Sequence, residues 1–199
     1  MNIAVPPPRA AEHPVEPLFL DRWSPRAFSA EPMGERDLMP LLEAARWAPS
    51  ASNVQPWRFA WGLRGDAAFA GIEAALLPGN RAWAGQAAAL VVIGSSLTRA
   101  AADGSAVANG FHAFDAGTAW GFLAVAAHQA GWATHAMGGF DHAKMAAALA
   151  LPEGYALHAV VAIGRRGDAA QLPDALRARE VPSTRRPLAQ TAGHGRFPA

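Results

Sequence analysis

Residues 22–28 read Arg22-Trp23-Ser24-Pro25-Arg26-Ala27-Phe28, and residues 48–57 read Ala48-Pro49-Ser50-Ala51-Ser52-Asn53-Val54-Gln55-Pro56-Trp57. In the first stretch two arginines and a serine stand on alternate positions, so an extended backbone turns all three side chains the same way. Two planar cationic forks beside a hydroxyl suit a phosphate or another anion. The same row also fits a solvated basic edge ahead of a helix. In the second stretch Pro49 and Pro56 bracket small hydroxyl and amide side chains and stiffen the backbone between them. Asn53 and Gln55 each offer a donor and an acceptor, which suits the edge of a heterocycle. A helix-terminating loop whose polar groups satisfy one another fits the same residues.

Between these stretches a helical pattern begins near Gly34. Leu38, Leu41, Leu42 and Ala45 share one face, with Glu35, Arg36 and Glu43 largely off it, and Pro49 is expected to end the helix. Ahead of residue 22 come Pro6, Pro7, Pro8, Pro14 and Pro17, so residues 1–17 are expected to form a flexible, extended arm. Residues 18–199 then form a single domain.

Downstream, Phe59–Trp61 reads as a short strand, and Ala67–Leu77 as a helix closed by Pro78-Gly79. Leu90–Gly94 is a buried strand, and Leu97–Gly110 has weak preferences either way. Asp115–Ala130 is a helix apolar nearly all round, with Asp115 placed to cap or charge its start. Such a helix is expected to be buried on every side, at the centre of the domain or of a dimer. Gly131 stops it, Trp132–Met137 reads as a strand, and Gly138-Gly139 turns into a helix over His142–Ala150. Ala156–Gly164 is a strand buried on both faces, and after Arg165 the chain is a polar, Pro-rich tail.

The 199 residues, 51% apolar and 17% charged, suit one compact core and exclude a disordered chain. A formal charge of +1 with a single lysine, Lys144, gives no basic track for nucleic acid. The absence of cysteine removes disulfides, thiolate metal sites and thiol nucleophiles together. His112, His128 and His135 have no carboxylate at a metal-ligand spacing. No secretory leader pattern and no apolar run long enough for a bilayer are present, so a soluble, cytoplasmic protein is expected. Neither a P-loop nor a G-x-G-x-x-G fingerprint occurs.

An ordered set of motifs goes further. Arg22-x-Ser24-x-Arg26-x-Phe28, Leu41-Leu42-Glu43-Ala44-Ala45, Ala48-Pro49-Ser50 and Asn53-x-Gln55-Pro56-Trp57 are followed by Asn80 ahead of the Leu90–Gly94 strand. Asp115-x-Gly117, Gly138-Gly139-Phe140-Asp141 and Arg185-Arg186-Pro187-Leu188 complete the set. In this order and spacing the chain, from about residue 20 to 190, resembles the FMN-dependent nitroreductase family. The resemblance implies an α+β fold, three layers α/β/α around a mixed, mostly antiparallel sheet, in an intertwined homodimer with two FMN sites at its interface.

It also implies roles. Arg22 and Ser24, with Trp23 between them, would hold the FMN phosphate and ribityl chain, and Arg26 would face the pyrimidine end of the ring. A fixed cation there favours the reduced flavin. Asn80 would hydrogen-bond the ring, and the Gly138-Gly139 turn would bring backbone N–H groups to its N5/O4 edge. Arg185 would close over the phosphate. Pro49, Ser50, Ala51, Asn53 and Gln55 would reach the flavin of the neighbouring subunit. The implied activity is ping-pong reduction of a small acceptor, such as a nitroaromatic or quinone, by NADH or NADPH through FMN, with no side chain required as general acid. Another FMN enzyme on the same fold (a dehalogenase, a flavin-fragmenting enzyme or an azoline oxidase) and a non-enzymatic flavin-binding protein are the alternatives. Two positions depart from the pattern: Trp83 and Ser183 stand where some members carry basic residues, which implies a more loosely held cofactor. Phe111, Phe114 and Trp132 are candidate pocket walls, while Trp120 and Phe122 suit a dimer core.

Overall fold

A computed structural model describes residues 9–198. Residues 1–8, just under half of the expected arm, lie outside the described residues. Four strands, β1 (Trp57–Leu63), β2 (Ala89–Ser96), β5 (Ala133–Met137) and β6 (Tyr155–Gly164), form one sheet in the order β1-β2-β6-β5. A separate hairpin pairs β3 (Thr98–Ala100) with β4 (Ala106–Ala108) in the stretch whose sequence preferences were weak. All ladders among the described residues are antiparallel.

The central strands are apolar on both faces because helices cover both. Leu90 and Val92 of β2 point into one core with Val160 and Ala162 of β6. That core is closed by α3 (Ala67–Ala75), α4 (Pro78–Ala84) and α6 (His142–Ala148), through Phe69, Ile72, Trp83 and Met145. Val91 and Ile93 point the other way, against Leu38, Leu41 and Ala45 of α2 (Glu35–Arg46) and Ala119, Leu123 and Ala127 of α5 (His112–Gln129). Two stacked helix layers around a pleated sheet satisfy both faces at once.

Several element boundaries differ from the sequence pattern. Helix α2 ends at Arg46, before Pro49, with Trp47 as its C-cap. Pro78 opens α4 rather than merely closing α3, because a fixed φ and a missing N–H are tolerated in a first helical turn. A one-turn helix, α1 (Pro17–Asp21), stands just before the Arg22 row, and α7 (Asp174–Arg177) lies in the C-terminal tail.

Within one chain α5 is not buried on every side. Ala116, Ala119, Leu123 and Ala127 are buried, whereas Phe114 and Phe122 are 75% and 42% exposed. Phe114, Thr118, Gly121, Phe122 and Val125 follow helical spacing and form a second, apolar stripe facing away from the sheet.

Candidate functional site

The row Arg22–Phe28 is fixed from its far end. Phe28 is buried and its ring lies over Gly164, where an added Cβ would come within 2.8 Å of it. Phe28 bridges Arg166, Ser29 N–H donates to Arg165 O at 2.8 Å, and Gly167 N–H donates to Ala27 O at 2.9 Å. Gln171 Nε2 donates to Phe28 O at 2.7 Å. Glu180 supplies the last anchor: its Oε1 accepts the N–H groups of Arg26 and Ala27 at 2.7 and 2.8 Å. These contacts hold the row beside the end of β6 and alongside β5.

So anchored, the row forms one wall of a cleft of about 410 Å³ lined by Arg22, Trp23, Ser24, Arg26, His135, Ser183 and Arg185, with Arg9, Arg179 and Val181. The half-buried Arg22 guanidinium has no hydrogen-bond partner among the described residues. Burial, and then the charges of Arg9 and Arg185, push its pKa below the ordinary guanidinium value. Arg26 is pushed the same way by burial and by Arg179, against a smaller opposing effect of Glu180, whose Oε2 lies 3.9 Å from its Nη1. Partly buried guanidinium groups that repel one another, with that of Arg22 lacking a protein acceptor, suit an anion.

His135 of β5 forms part of the cleft wall. Its Nδ1 lies 3.0 Å from Pro25 O, and since a carbonyl only accepts, Nδ1 carries the proton. Burial lowers its pKa below the ordinary imidazole value, disfavouring the charged ring. Trp83, expected beside the cofactor ring in place of a basic residue, is instead 2% exposed in the core and packs at 4.6 Å against the His135 ring. It backs the cleft rather than lining it.

Asn80 and the Gly138-Gly139 turn come together at the end of β5. Asn80 Nδ2 donates to Gly139 O at 2.9 Å, and Leu77 N–H donates to the same oxygen at 3.1 Å. The amide thereby fixes the turn and keeps its own Oδ1 as an acceptor. A Cβ on Gly139 would stand 2.7 Å from Asn80 Nδ2, so a side chain there would have to displace the amide.

The Pro49–Gln55 loop lies elsewhere. Ser52, Asn53 and Gln55 all have positive φ, of 50°, 54° and 51°, an unusual concentration for non-glycine residues. Gln55 N–H donates to Ser50 Oγ at 3.0 Å, and Ala51 N–H faces both carboxylate oxygens of Asp115 at 3.3 Å. Asp115, buried in the first turn of α5, therefore tethers the loop as well as sitting where helix-start charge is favourable. The loop leads into β1 and the Gly138-Gly139 turn leaves β5, at opposite edges of the sheet. Three strand spacings, roughly 14 Å, separate those edges.

The cleft thus unites Arg22, Trp23, Ser24, Arg26 and Arg185, and the Asn80–Gly139 pair forms a second group. Arg9, Arg179, Glu180 and His135 join the first group although no local motif marks them. The only sequence signal was the charge run Arg177-Ala178-Arg179-Glu180 within the tail. A second cluster stands apart, where Ser95 Oγ meets His112 Nδ1 at 2.8 Å and His158 Nε2 at 2.7 Å. His158 is the residue left unpaired by a β-bulge between β2 and β6, which turns its ring toward Ser95. Among the described residues no group of three or more His, Asp or Glu could hold a metal, and no helix is long and apolar enough to cross a membrane.

An antiparallel sheet between two helix layers, with an arginine-walled cleft beside one edge strand, defines an α+β protein whose cleft chemistry suits an anion. The nitroreductase family model matches residues 20–77 and 64–165, and the chain belongs to that family. Its fold is similar to a crystal structure described as an oxidoreductase containing FMN, with 45% identity, TM-score 0.92, and 95% and 96% of the two chains covered. A nitroreductase-type protein in complex with FMN from Desulfovibrio desulfuricans shares the fold at 24% identity and TM-score 0.72, over 94% of this chain and 100% of that one. A nitrobenzene nitroreductase of Ectopseudomonas oleovorans is 41% identical over 44 residues, 22% of this chain and 19% of the relative. A Streptomyces coelicolor protein provisionally named NADH dehydrogenase/NAD(P)H nitroreductase is 36% identical over 58 residues, 29% of each chain. The matched stretches span less than a third of these two curated relatives.

Proposed function

We propose that the chain binds FMN in the arginine cleft and works as an oxidoreductase, taking reducing equivalents from NADH or NADPH and passing them to a small acceptor such as a nitroaromatic or quinone. The observation that carries this reading is the half-buried Arg22 guanidinium, without a protein acceptor, in a cleft shared with Ser24 and Arg185. Further support comes from the 45%-identical relative described as containing FMN. The names of the two curated relatives support the nicotinamide donor and the nitro acceptor.

The residues present fit the cofactor. Arg22, Ser24 and Arg185 offer charged and hydroxyl donors suited to a phosphate dianion, with Trp23 beside them. Arg26, fixed by Glu180, would place a cation at the pyrimidine end of the ring and favour its negatively charged reduced form. The glycine turn pinned by Asn80 leaves room for the ring edge at Gly138 and Gly139. Bound FMN would supply two-electron chemistry, accepting a hydride from the nicotinamide and returning electrons to the acceptor.

The site is completed in this reading by a second copy of the chain. The strained Pro49–Gln55 loop, including Pro49, Ser50, Ala51, Asn53 and Gln55, lies at the sheet edge opposite the glycine turn, so it would serve the partner's cofactor rather than its own. The exposed apolar stripe of α5 supplies a surface that a homodimer would cover. The test is anaerobic stopped-flow mixing of the FMN-loaded protein with NADH or NADPH. Bleaching of the flavin band, and its return on adding a nitroaromatic or quinone, is expected. A flavin band that neither donor bleaches overturns the reductase reading.

A further inference from the structure

The geometry points to Arg9, which lies outside every motif above, as a direct ligand of the cofactor phosphate, delivered to the cleft by the N-terminal segment. This inference rests on the FMN reading and names one more residue that would hold the group.

Arg9 Nη1 donates to Leu20 O at 2.5 Å and to Arg22 O at 2.7 Å. Those carbonyls belong to the C-terminal end of α1 and its cap, where backbone acceptors lack helical partners. Capping alone would account for Nη1. It leaves Nε and Nη2 without an acceptor among the described residues, on a side chain that lines the same cleft as Arg22, Ser183 and Arg185. A cap could stand on the solvent side of α1. This one stands against two other guanidinium groups, an arrangement that costs energy until an anion neutralises it.

The electrostatics agree with the placement. Burial and then Arg185 lower the pKa of Arg9, against a smaller opposing effect of Asp21, and Arg9 in turn contributes to lowering that of Arg22. Three forks that repel one another around a shared cleft match the three acceptor oxygens of a phosphate monoester. Ser183, where some family members carry a basic residue, brings a hydroxyl but no charge. Arg9 brings the missing cation from the opposite end of the chain. The segment is held at this place from the other side too, since Leu188 N–H donates to Glu12 Oε1 at 3.0 Å.

The test compares FMN with riboflavin, which has the same ring and ribityl chain but no phosphate, on wild type, Arg9→Ala and Arg9→Lys. Dissociation constants come from flavin fluorescence, and the ligand-free melting temperature of each variant monitors the fold. Arg9→Ala is expected to weaken FMN about tenfold or more while riboflavin stays within about twofold. Arg9→Lys, which keeps the charge but loses the fork, falls between. Equal FMN affinity in wild type and Arg9→Ala overturns the inference and leaves the cofactor reading standing. Loss of FMN and riboflavin affinity by the same factor also overturns it, because Arg9 would then act only as a cap. A wild-type protein that binds neither flavin overturns the cofactor reading and this inference together.

Discussion

Glu180 accepts the backbone N–H groups of Arg26 and Ala27 through one carboxylate oxygen, and its other oxygen lies 3.9 Å from the Arg26 guanidinium. One tail residue therefore sets both the backbone and the charge of the motif row. With its side chain only 4% exposed, Glu180 leaves Oε2 with no hydrogen-bond partner. Replacing it by alanine strands two backbone donors and releases the row. Glu180→Ala is expected to destabilise the protein by about 2–4 kcal/mol, with Glu180→Gln recovering part of the loss, as read by urea unfolding.

His135 sets an acid limit on stability. Its folded-state pKa is lowered, chiefly by burial, so the unfolded chain takes up the proton first as pH falls. The native state is then unpenalised above the unfolded imidazole value of ~6.5 and loses stability progressively as pH drops through and below it. His158, lowered by burial and by His112, adds to the same limb. His135→Asn can keep a donor to Pro25 O without titrating. Its unfolding free energy, followed from about pH 8 to pH 5, is expected to fall less steeply than that of wild type.

A side chain at Gly139 would meet the Asn80 amide. An alanine Cβ would stand 2.7 Å from Asn80 Nδ2, displacing the amide that fixes the turn. Gly139→Ala is expected to weaken FMN and riboflavin alike, by about tenfold, since the phosphate is not involved. Parallel titrations with both flavins check this, and a loss confined to FMN contradicts it.

The apolar stripe on α5 carries the assembly prediction. Phe114, 75% exposed in the single chain, is expected to be covered by the second copy. Phe114→Asp places a charge in that contact and is expected to yield monomers in sedimentation velocity. FMN affinity should fall with it, because the Pro49–Gln55 loop would no longer reach the partner's site. A Phe114→Asp protein that sediments like wild type contradicts this role for the stripe.

How much of this was written locally varies by element. The apolar runs at Leu90–Gly94 and Ala156–Gly164 announced buried strands, the second covered on both faces, and both are central in the sheet. Arg22, Ser24 and Arg26 were legible as a row because alternation is a property of neighbours. Arg9, Arg179 and Glu180 were not, since their roles depend on contacts between the two ends of the chain. Trp83 was legible only as a departure, standing where some members carry a basic residue, and the turn of α4 directs it inward against Phe28 and His135. Helix α4 itself was hidden because Pro78-Gly79 reads equally as a stop and as a first turn. The positive φ values of Ser52, Asn53 and Gln55 had no glycine to announce them.

The most direct measurement is calorimetric titration of FMN into the purified protein and into Arg22→Ala. Saturable binding by wild type is expected, weakened by about 1.5–3 kcal/mol in the variant, the range for a lost charge-assisted hydrogen bond. Absence of FMN binding by wild type, or equal affinity in the two proteins, would contradict that expectation.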